Sequence, residues 1–410
     1  MFGWEFPPFR AGGLATATLG LVKGLLRQGV EVTLAVPFPV RASVLPTVRM
    51  VSAPDVATRL SVRRVDALLT PYTGAIEYAA ERARLDTADD GRGPRAVYGP
   101  DLFAEVDRFA AVAGEIAREE PHDVIDTHDW LTFAAGLRAR EISGKPMVAH
   151  IHATEFDRVG DSGASHMNPE IAGRERAGLH AADRIIANSF FLERRVVRDF
   201  GVPSDRVDVV HWGVDGPRVD PDAPVERLVS RPTVAFVGRV TRQKGPRYFI
   251  DIAHRVAGLL PSARFIVAGD GDALPDTIDY AADVGVAGRV LFTGGLSEAD
   301  VERVYRMADV CVMTSVHEPF GLVALESLRN GTPVIVPTDS GVAEVLDNVF
   351  KIDFWDIDAM ANVIVALAWY PVLHDTIRER GLAEVSEPRH TLDEPARRTA
   401  AIYRRAIDHP

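Results

Sequence analysis

The sequence predicts a tandem pair of doubly wound α/β domains, and three observations carry that reading. Short β-branched runs bounded by turn residues alternate with longer segments whose apolar residues recur every three to four positions. Strands alternating with helices in this way form parallel sheets covered on both faces. The stretch VDGPRVDPDAPVERLVSRP, Val214–Pro232, is rich in proline, aspartate and charge and interrupts the alternation once. Finally, 410 residues exceed one ordinary core and suit two domains of about 200 residues each. The expected division is 1–213 for an N-terminal domain, 214–232 for a linker and 233–385 for a C-terminal domain. Residues 386–410 form a terminal segment whose last helix, near Leu392–Ile407, is free to pack back on the N-terminal domain.

In the first half, strands are expected near Met1–Trp4, Val30–Val36, Asp123–Thr127, Met147–His152, Arg184–Ala187 and Val207–His211. The first has barely four residues before Pro7-Pro8 turns the chain. Helices are expected at Leu14–Arg27, Leu102–Arg118, Leu131–Ile142, Pro169–Ala181 and Phe190–Phe200. Between Val40 and Pro100 the pattern is indistinct, and GRGP at Gly91–Pro94 marks a loop. After the linker the strands read TVAFVG, ARFIVAGDG, RVLFTG, DVCVMTS, TPVIVP and VFKID, with a helix after each of the first four. Ligands of such sheets bind at the carboxyl ends of the strands, so with two domains the cleft between them is the expected site.

Composition narrows the function. A net charge of -12 disfavours nucleic acid, which needs a basic face, and makes docking on anionic lipid unfavourable. No run of 18 apolar residues signals a spanning helix, and no basic segment precedes an apolar one at the start, so a cytoplasmic location is expected. Cys311, the single cysteine, lies in a strand-like run and reads as a small buried hydrophobe. The chain has no GxGxxG, GxxxxGK[ST] or GxSxG, which disfavours dinucleotide oxidoreductases, P-loop enzymes and α/β-hydrolases.

The most informative segment runs from Val312 to Leu346 as strand, loop, helix, strand, loop. Pro319 suits a first helical position, which would turn the amides of Gly321 and Leu322 toward an anion such as a diphosphate. Glu318 and Glu326 would then stand about 12 Å apart along the helix axis, too far for a glycosidase pair. They suit hydroxyls at two ends of one extended ligand; the alternative is a solvated helix face with an acidic residue favouring the dipole. In FVGRVTRQKG, Arg239 and Lys244 follow a strand that ends at Gly238, and both can meet phosphate. At the front, Pro7-Pro8, Arg10 and Gly12-Gly13 precede a helix, an order that serves as punctuation or as part of a phosphate seat. His128, Asp129 and His152 follow two strands, and His150 and His152 share a side of theirs. Zinc on the His150–His152 pair with Glu155 is disfavoured because the further ligands of a closed site are missing. Asp270–Asp272 (DGD) reads as a strand-end turn, Asp356–Asp358 (DID) as a helix start and Asp220–Asp222 (DPD) as linker, none as a metal-binding pair.

Together FPPFRAGGL, HDW, HIHATEF, GRVTRQKG and EPFGLVALE resemble the retaining glycosyltransferases of family 4, and the opening is also similar to bacterial glycogen synthases. The match spans both halves of the chain. The resemblance implies the GT-B architecture, two Rossmann-like domains facing across a cleft. It implies that Glu318 bonds donor-sugar hydroxyls and that Glu326 holds the nucleotide ribose. Arg239 and Lys244 would bind the donor diphosphate, with Gly238, Pro319, Phe320, Gly321 and Leu322 lining the donor site. Gly12 and Gly13 would approach the same phosphates by backbone, with Arg10 as an auxiliary cation. His152 would lie beside the sugar near the reacting carbon, and Asp129 on the acceptor side; Ser340–Glu344 resembles the loop after the next strand. Where glycogen synthases carry Lys this chain has Arg10, and where they carry an acidic residue it reads GGLATAT, which weakens the case for an ADP-sugar and a glycogen acceptor.

The implied activity is hexosyl transfer, glucose being the favoured sugar, from a nucleoside diphosphate sugar to a hydroxyl of an α-glucan or small sugar. It proceeds with retention and needs no cofactor or metal, because fixed cations and amides stabilise the departing diphosphate. Alternatives are a nucleotide-sugar epimerase or hydrolase on the same fold, or a non-catalytic sugar- or nucleotide-binding module.

Overall fold

A computed structural model describes residues 1–6, 13–37, 48–52, 102–159, 167–216 and 232–408. The chain forms two compact units. One comprises Met1–Val159, Gly163–Val210 and Pro395–Pro410; the other runs from His211 to Glu394. Most of the expected linker, 217–231, and the stretch 7–12 lie outside the described residues. The second unit starts a little before the expected boundary because Gly213 and Val214 already pack within it. The Val214 N–H donates to the His390 carbonyl at 2.8 Å, and a Cβ on Gly213 would meet the Thr391 oxygen at 2.1 Å.

The first unit holds β1 (Thr33–Val36), β2 (Arg49–Ser52), β3 (Ile125–His128), β4 (Met147–Ile151), β5 (Arg184–Ala187) and β6 (Val207–Val209). All pairings are parallel: β1 with β2, and β3–β4–β5–β6 in sequence. The expected strand at Met1–Trp4 contracts to one bridging residue, Phe2, which pairs with Ala35 of β1 and Thr127 of β3 and joins the two parts of the sheet. Chain order therefore reverses at Phe2: β1 and β2 lie to one side, β3 to β6 to the other. The helices are α1 (Gly13–Arg27), α2 (Leu102–Glu119), α3 (Trp130–Ser143), α4 (Glu155–Val159), α5 (Pro169–Ala181) and α6 (Phe190–Phe200). Local chemistry sets their ends. Asn168 accepts from the Glu170 and Ile171 amides ahead of α5, while Ser189 accepts from Leu192 and Gly201 ends α6 in the left-handed region. Trp4, Phe109, Trp130, Phe133 and Leu179 fill the core beneath these helices.

The second unit carries one six-stranded parallel sheet of β7 (Thr233–Val237), β8 (Arg264–Ala268), β9 (Val290–Gly294), β10 (Val310–Val312), β11 (Val334–Val336) and β12 (Phe350–Lys351). Their order is β12-β11-β10-β7-β8-β9. The chain begins in the middle at β7, moves out through β8 and β9, then returns to β10 on the other side. The switch point thus lies between β7 and β10, where a doubly wound sheet opens its binding crevice. Covering helices are α7 (Pro246–Leu259), α8 (Leu274–Asp283), α9 (Glu298–Met307), α10 (Leu322–Arg329), α11 (Ile357–Trp369) and α12 (Pro371–Val385). The last helix, α13 (Asp393–Asp408), returns to the first unit. There the Tyr403 hydroxyl donates to Asp126 Oδ2 at 2.5 Å and Arg405 pairs with Asp208 at 2.6 Å. Among the described residues no single helix is long and apolar enough to cross a membrane.

Candidate functional site

At the switch point of the second unit the loops after β7 and β10 are stitched together. The Val316 amide donates to the Gln243 carbonyl at 2.9 Å, and Thr314 Oγ1 to the Gly245 carbonyl at 2.9 Å. Arg239 follows Gly238 at the end of β7, half-buried, and Lys244 closes a 3-10 turn, Arg242–Lys244. Lys244 Nζ donates to Glu318 Oε2 at 2.6 Å, and Ser315 Oγ donates to the same oxygen at 2.8 Å. A cation, a carboxylate and a hydroxyl from two loops thus meet at one point. This arrangement requires glycine both in the DGD turn after β8, at Gly271, and just before it, at Gly269. A Cβ on Gly269 would stand 1.8 Å from the Gly238 oxygen, and one on Gly271 2.4 Å from the Val240 oxygen. The close approach of the loops, not a pair of carboxylates, explains that motif.

Pro319 does not start a helix. Glu318 instead pairs in parallel with Ser340, and the Gly341 and Val342 amides donate to the Glu318 and Phe320 carbonyls. The extended Glu318–Phe320 segment is therefore held beside the 340 loop, and α10 begins at Leu322 with Gly321 (φ 112°) as its N-cap. No other residue suits Gly321: its Cβ would come within 2.9 Å of Met313 Cε and 3.1 Å of Val342 Cγ1. The amides at the helix start are consequently those of Leu322 and Val323. Only the stretch from Leu322 to Glu326 has a helical rise, about 6 Å, so the expected helical spacing of Glu318 and Glu326 does not apply. Glu326 Oε2 accepts the Tyr305 hydroxyl at 2.9 Å. Burial first, then Glu326, pushes the Tyr305 phenol well above its usual range, so it remains a donor. Burial also lifts the Cys311 thiol to about 12, which keeps it inert.

In the first unit Arg10 and Gly12 lie outside the described residues. Gly13 opens α1 and is exposed, with nothing within 4 Å of a would-be Cβ. One first-turn amide of α1 already has an anionic partner, for Ala15 N–H donates to Glu5 Oε2 at 3.2 Å. Asp129 caps α3 at φ 59°, the one positive φ outside glycine among the described residues. Its Oδ1 accepts the His152 amide at 2.7 Å, and Asn188 Nδ2 donates to the His152 carbonyl at 3.1 Å. The ends of β3, β4 and β5 thereby fix the backbone of His152.

Below it lies a polar cluster whose members are all buried. His128 Nδ1 and His152 Nε2 are 2.9 Å apart, His150 Nε2 is 3.2 Å from Asp126 Oδ1, and His128 Nε2 is 3.4 Å from Asp126 Oδ2. Burial pushes the His150 imidazole down to about 4 despite the pull of Asp126, and His152 well below its usual value. For Asp126 burial opposes ionisation, but His150, His128 and Tyr403 outweigh it and hold the carboxyl at about 2. Asp126, His128 and His150 bring three ligand atoms within 4.8 Å of one another. A metal must nevertheless lie in the plane of every imidazole that binds it. The His128 and His150 rings are stacked at 4.7 Å and 18°, so their lone pairs do not converge. Glu155 is engaged elsewhere, accepting the Asn168 amide at 3.0 Å. Tyr305 and Tyr403 escaped the sequence reading because each acts on its partner from another element; Ser315 and Asp126 stand beside Glu318 and His128 in the chain but look like ordinary polar positions.

Residues 11–216 match the family model "Glycosyltransferase Family 4" and residues 222–367 match "Glycosyl transferases group 1". The chain belongs to these glycosyltransferases. Its relatives include an uncharacterized glycosyltransferase of Methanocaldococcus jannaschii, 29% identical over 362 residues, which are 84% of this chain and 82% of that one. A D-inositol 3-phosphate glycosyltransferase of Mycobacterium sp. (strain KMS) is 32% identical over 379 residues, 87% of this chain and 78% of its own. Among solved structures, sucrose-phosphate synthase from Thermosynechococcus elongatus superposes with a TM-score of 0.75 at 20% identity, covering 100% of this chain and 98% of that one. Anabaena HepE, in complex with UDP and glucose, gives 0.69 at 17% identity over 98% of both chains. The glycosyltransferase has the GT-B architecture, built from two α/β units with parallel sheets.

Proposed function

We propose that this glycosyltransferase moves a hexosyl group from a nucleoside diphosphate sugar to a hydroxyl acceptor with retention of configuration. The observation that carries the proposal is the meeting of Lys244, Glu318 and Ser315 at the switch point, beside the N-terminus of α10. Arg239 and Lys244 neutralise the diphosphate as it departs, joined by the Leu322 and Val323 amides. Glu318 exchanges its lysine for hydroxyls of the transferred sugar, and Glu326, oriented by Tyr305, binds the ribose. His152 meets the transferred sugar, and Asp129 holds the backbone that carries it. With the charge of the leaving group met by these residues, the reaction runs without a metal.

The named activity of the mycobacterial relatives favours a small polyol, free or phosphorylated, over an α-glucan as acceptor. The test is a panel of UDP-, ADP- and GDP-hexoses with and without inositol phosphates, simple sugars and glucans. Acceptor-dependent release of nucleoside diphosphate is expected, with an α-linked product by NMR. Release that is equally fast without acceptor, or an inverted linkage, overturns the proposal.

A further inference from the structure

The side-chain bonds to Glu318 fall on one of its two oxygens. Lys244 Nζ donates to Oε2 at 2.6 Å, and Ser315 Oγ donates to the same atom at 2.8 Å. Oε1 accepts no hydrogen bond from the described residues, yet it is not one of the unbonded atoms sealed from solvent. An ionised carboxylate has room for donors on both oxygens, so Glu318 keeps one open acceptor where a ligand can reach it. The two donors on Oε2 differ in how firmly they are held. The ammonium ends a flexible four-carbon stem, and the Lys244 side chain is 22% exposed. The serine hydroxyl sits one bond beyond Cβ on a buried residue, and the chain on either side of it is tied to the 242–245 turn. Thr314 Oγ1 donates to the Gly245 carbonyl at 2.9 Å, the Val316 amide to the Gln243 carbonyl at 2.9 Å, and Gln243 Nε2 to the His317 carbonyl at 3.1 Å. A diphosphate that draws Lys244 away removes one donor from Oε2 and leaves the other in place.

We propose that Ser315 is a positioning residue that holds Glu318 through Oε2 while Oε1 takes a hydroxyl of the transferred sugar. This rests on the reading that Glu318 binds that sugar. Once the lysine has moved to the diphosphate, a glutamate without the serine bond regains rotamer freedom, which sugar binding must then remove. The hydroxyl keeps the carboxylate in one orientation through that exchange. Its effect is confined to the sugar, because a nucleoside diphosphate without a sugar offers Oε1 no hydroxyl to accept.

The test is calorimetric titration of the full chain with UDP-, ADP- and GDP-glucose and with UDP, ADP and GDP, the best-bound base being carried into the variants. Ser315→Cys fills the same space with a weak donor, and Ser315→Ala removes the group. In both, the Kd of the sugar nucleotide should rise about tenfold, while that of the matching nucleoside diphosphate stays within about twofold. Equal losses on the two ligands would make Ser315 a support of the lysine turn and overturn the proposal, as would no loss on either. The second arm is a cycle with Glu318→Ala. In that background Ser315→Ala should add less than about a twofold effect on the sugar nucleotide; an undiminished effect means that the hydroxyl acts on something other than the carboxylate, and the proposal fails. If the unaltered protein binds none of the three glucose nucleotides, the functional reading fails and the proposal falls with it. If it binds them and the Ser315 variants do not separate sugar nucleotide from diphosphate, the functional reading stands and the proposal alone falls.

Discussion

The two units solve the same problem, placing polar groups at a sheet's switch point, by opposite means. In the second unit the groups sit on two neighbouring loops and are held by one short ion pair, Lys244 to Glu318, at the edge of solvent. In the first they sit on the strands themselves, buried around Asp126. The difference follows from how each charge is handled. A Lys–Glu pair can separate and re-form around a ligand because water and the ligand solvate both ions. A buried Asp–His cluster cannot reorganise cheaply, since an unpaired buried group costs about 1–3 kcal/mol. The second unit is arranged to exchange partners, the first to keep them.

Several measurements would break or sharpen that contrast. The largest effect is expected from Gly269→Ala, whose Cβ would collide with the Gly238 backbone oxygen at 1.8 Å, at a φ of 151°. Neither atom is the end of a flexible side chain, so a loss above about 4 kcal/mol is expected. Amide exchange should rise in peptides of the second unit alone; an equal rise in first-unit peptides would contradict the division into two units. Lys244→Met comes next. It leaves Glu318 without its cation and the diphosphate with Arg239 as its remaining side-chain cation, so kcat should drop by about 10²- to 10³-fold. A tenfold smaller loss in steady-state rates would assign the neutralising role elsewhere.

Acidification probes the first unit. The His150 imidazole has an ordinary value of 6.5 and lies at about 4 when folded. Between those values the unfolded chain binds more protons than the folded one, so the contribution is complete above pH 6.5 and fades as pH falls toward 4. Its size is on the order of 3 kcal/mol. Asp126 adds its own loss only below its ordinary 3.8. Urea melts across this window should show the first unit weakening, and a flat profile would mean that the rings are solvated. The smallest change is Tyr305→Phe, which removes one hydrogen bond to Glu326. It should raise KM for the donor about fivefold, near 1 kcal/mol, with kcat little altered; an unchanged KM would free Glu326 of any need for orientation.

Legibility follows the same divide. Element type came through well, because strands and helices differ in period: α5 and α6 have the ends that Asn168-Pro169 and Ser189 announce. In the second unit the motif residues Arg239, Lys244 and Glu318 were visible because one loop and its neighbour carry them in contiguous words. What the words could not show was that Glu318–Phe320 is extended, since pairing with Ser340 overrides the usual place of proline in a first helical turn. In the first unit the histidines stood out, but their organiser did not. Asp126 looks like an ordinary strand-end acid until Tyr403, 277 residues away, is seen to bond it. The tyrosine gives no signal of its own on an amphipathic helix. The short α4 and β2 were missed for lack of a full period.

That long-range bond between Tyr403 and Asp126 has a consequence for synthesis. A chain leaving the ribosome presents β3 to β6 early, yet the hydroxyl that bonds Asp126 Oδ2 emerges after the second unit. During translation the nascent first unit therefore lacks one bond of its polar interior, while the second unit is drawn almost wholly from the single stretch His211–Glu394. The later-made half is free to mature first, and the earlier-made half is sealed by the helix that comes out last.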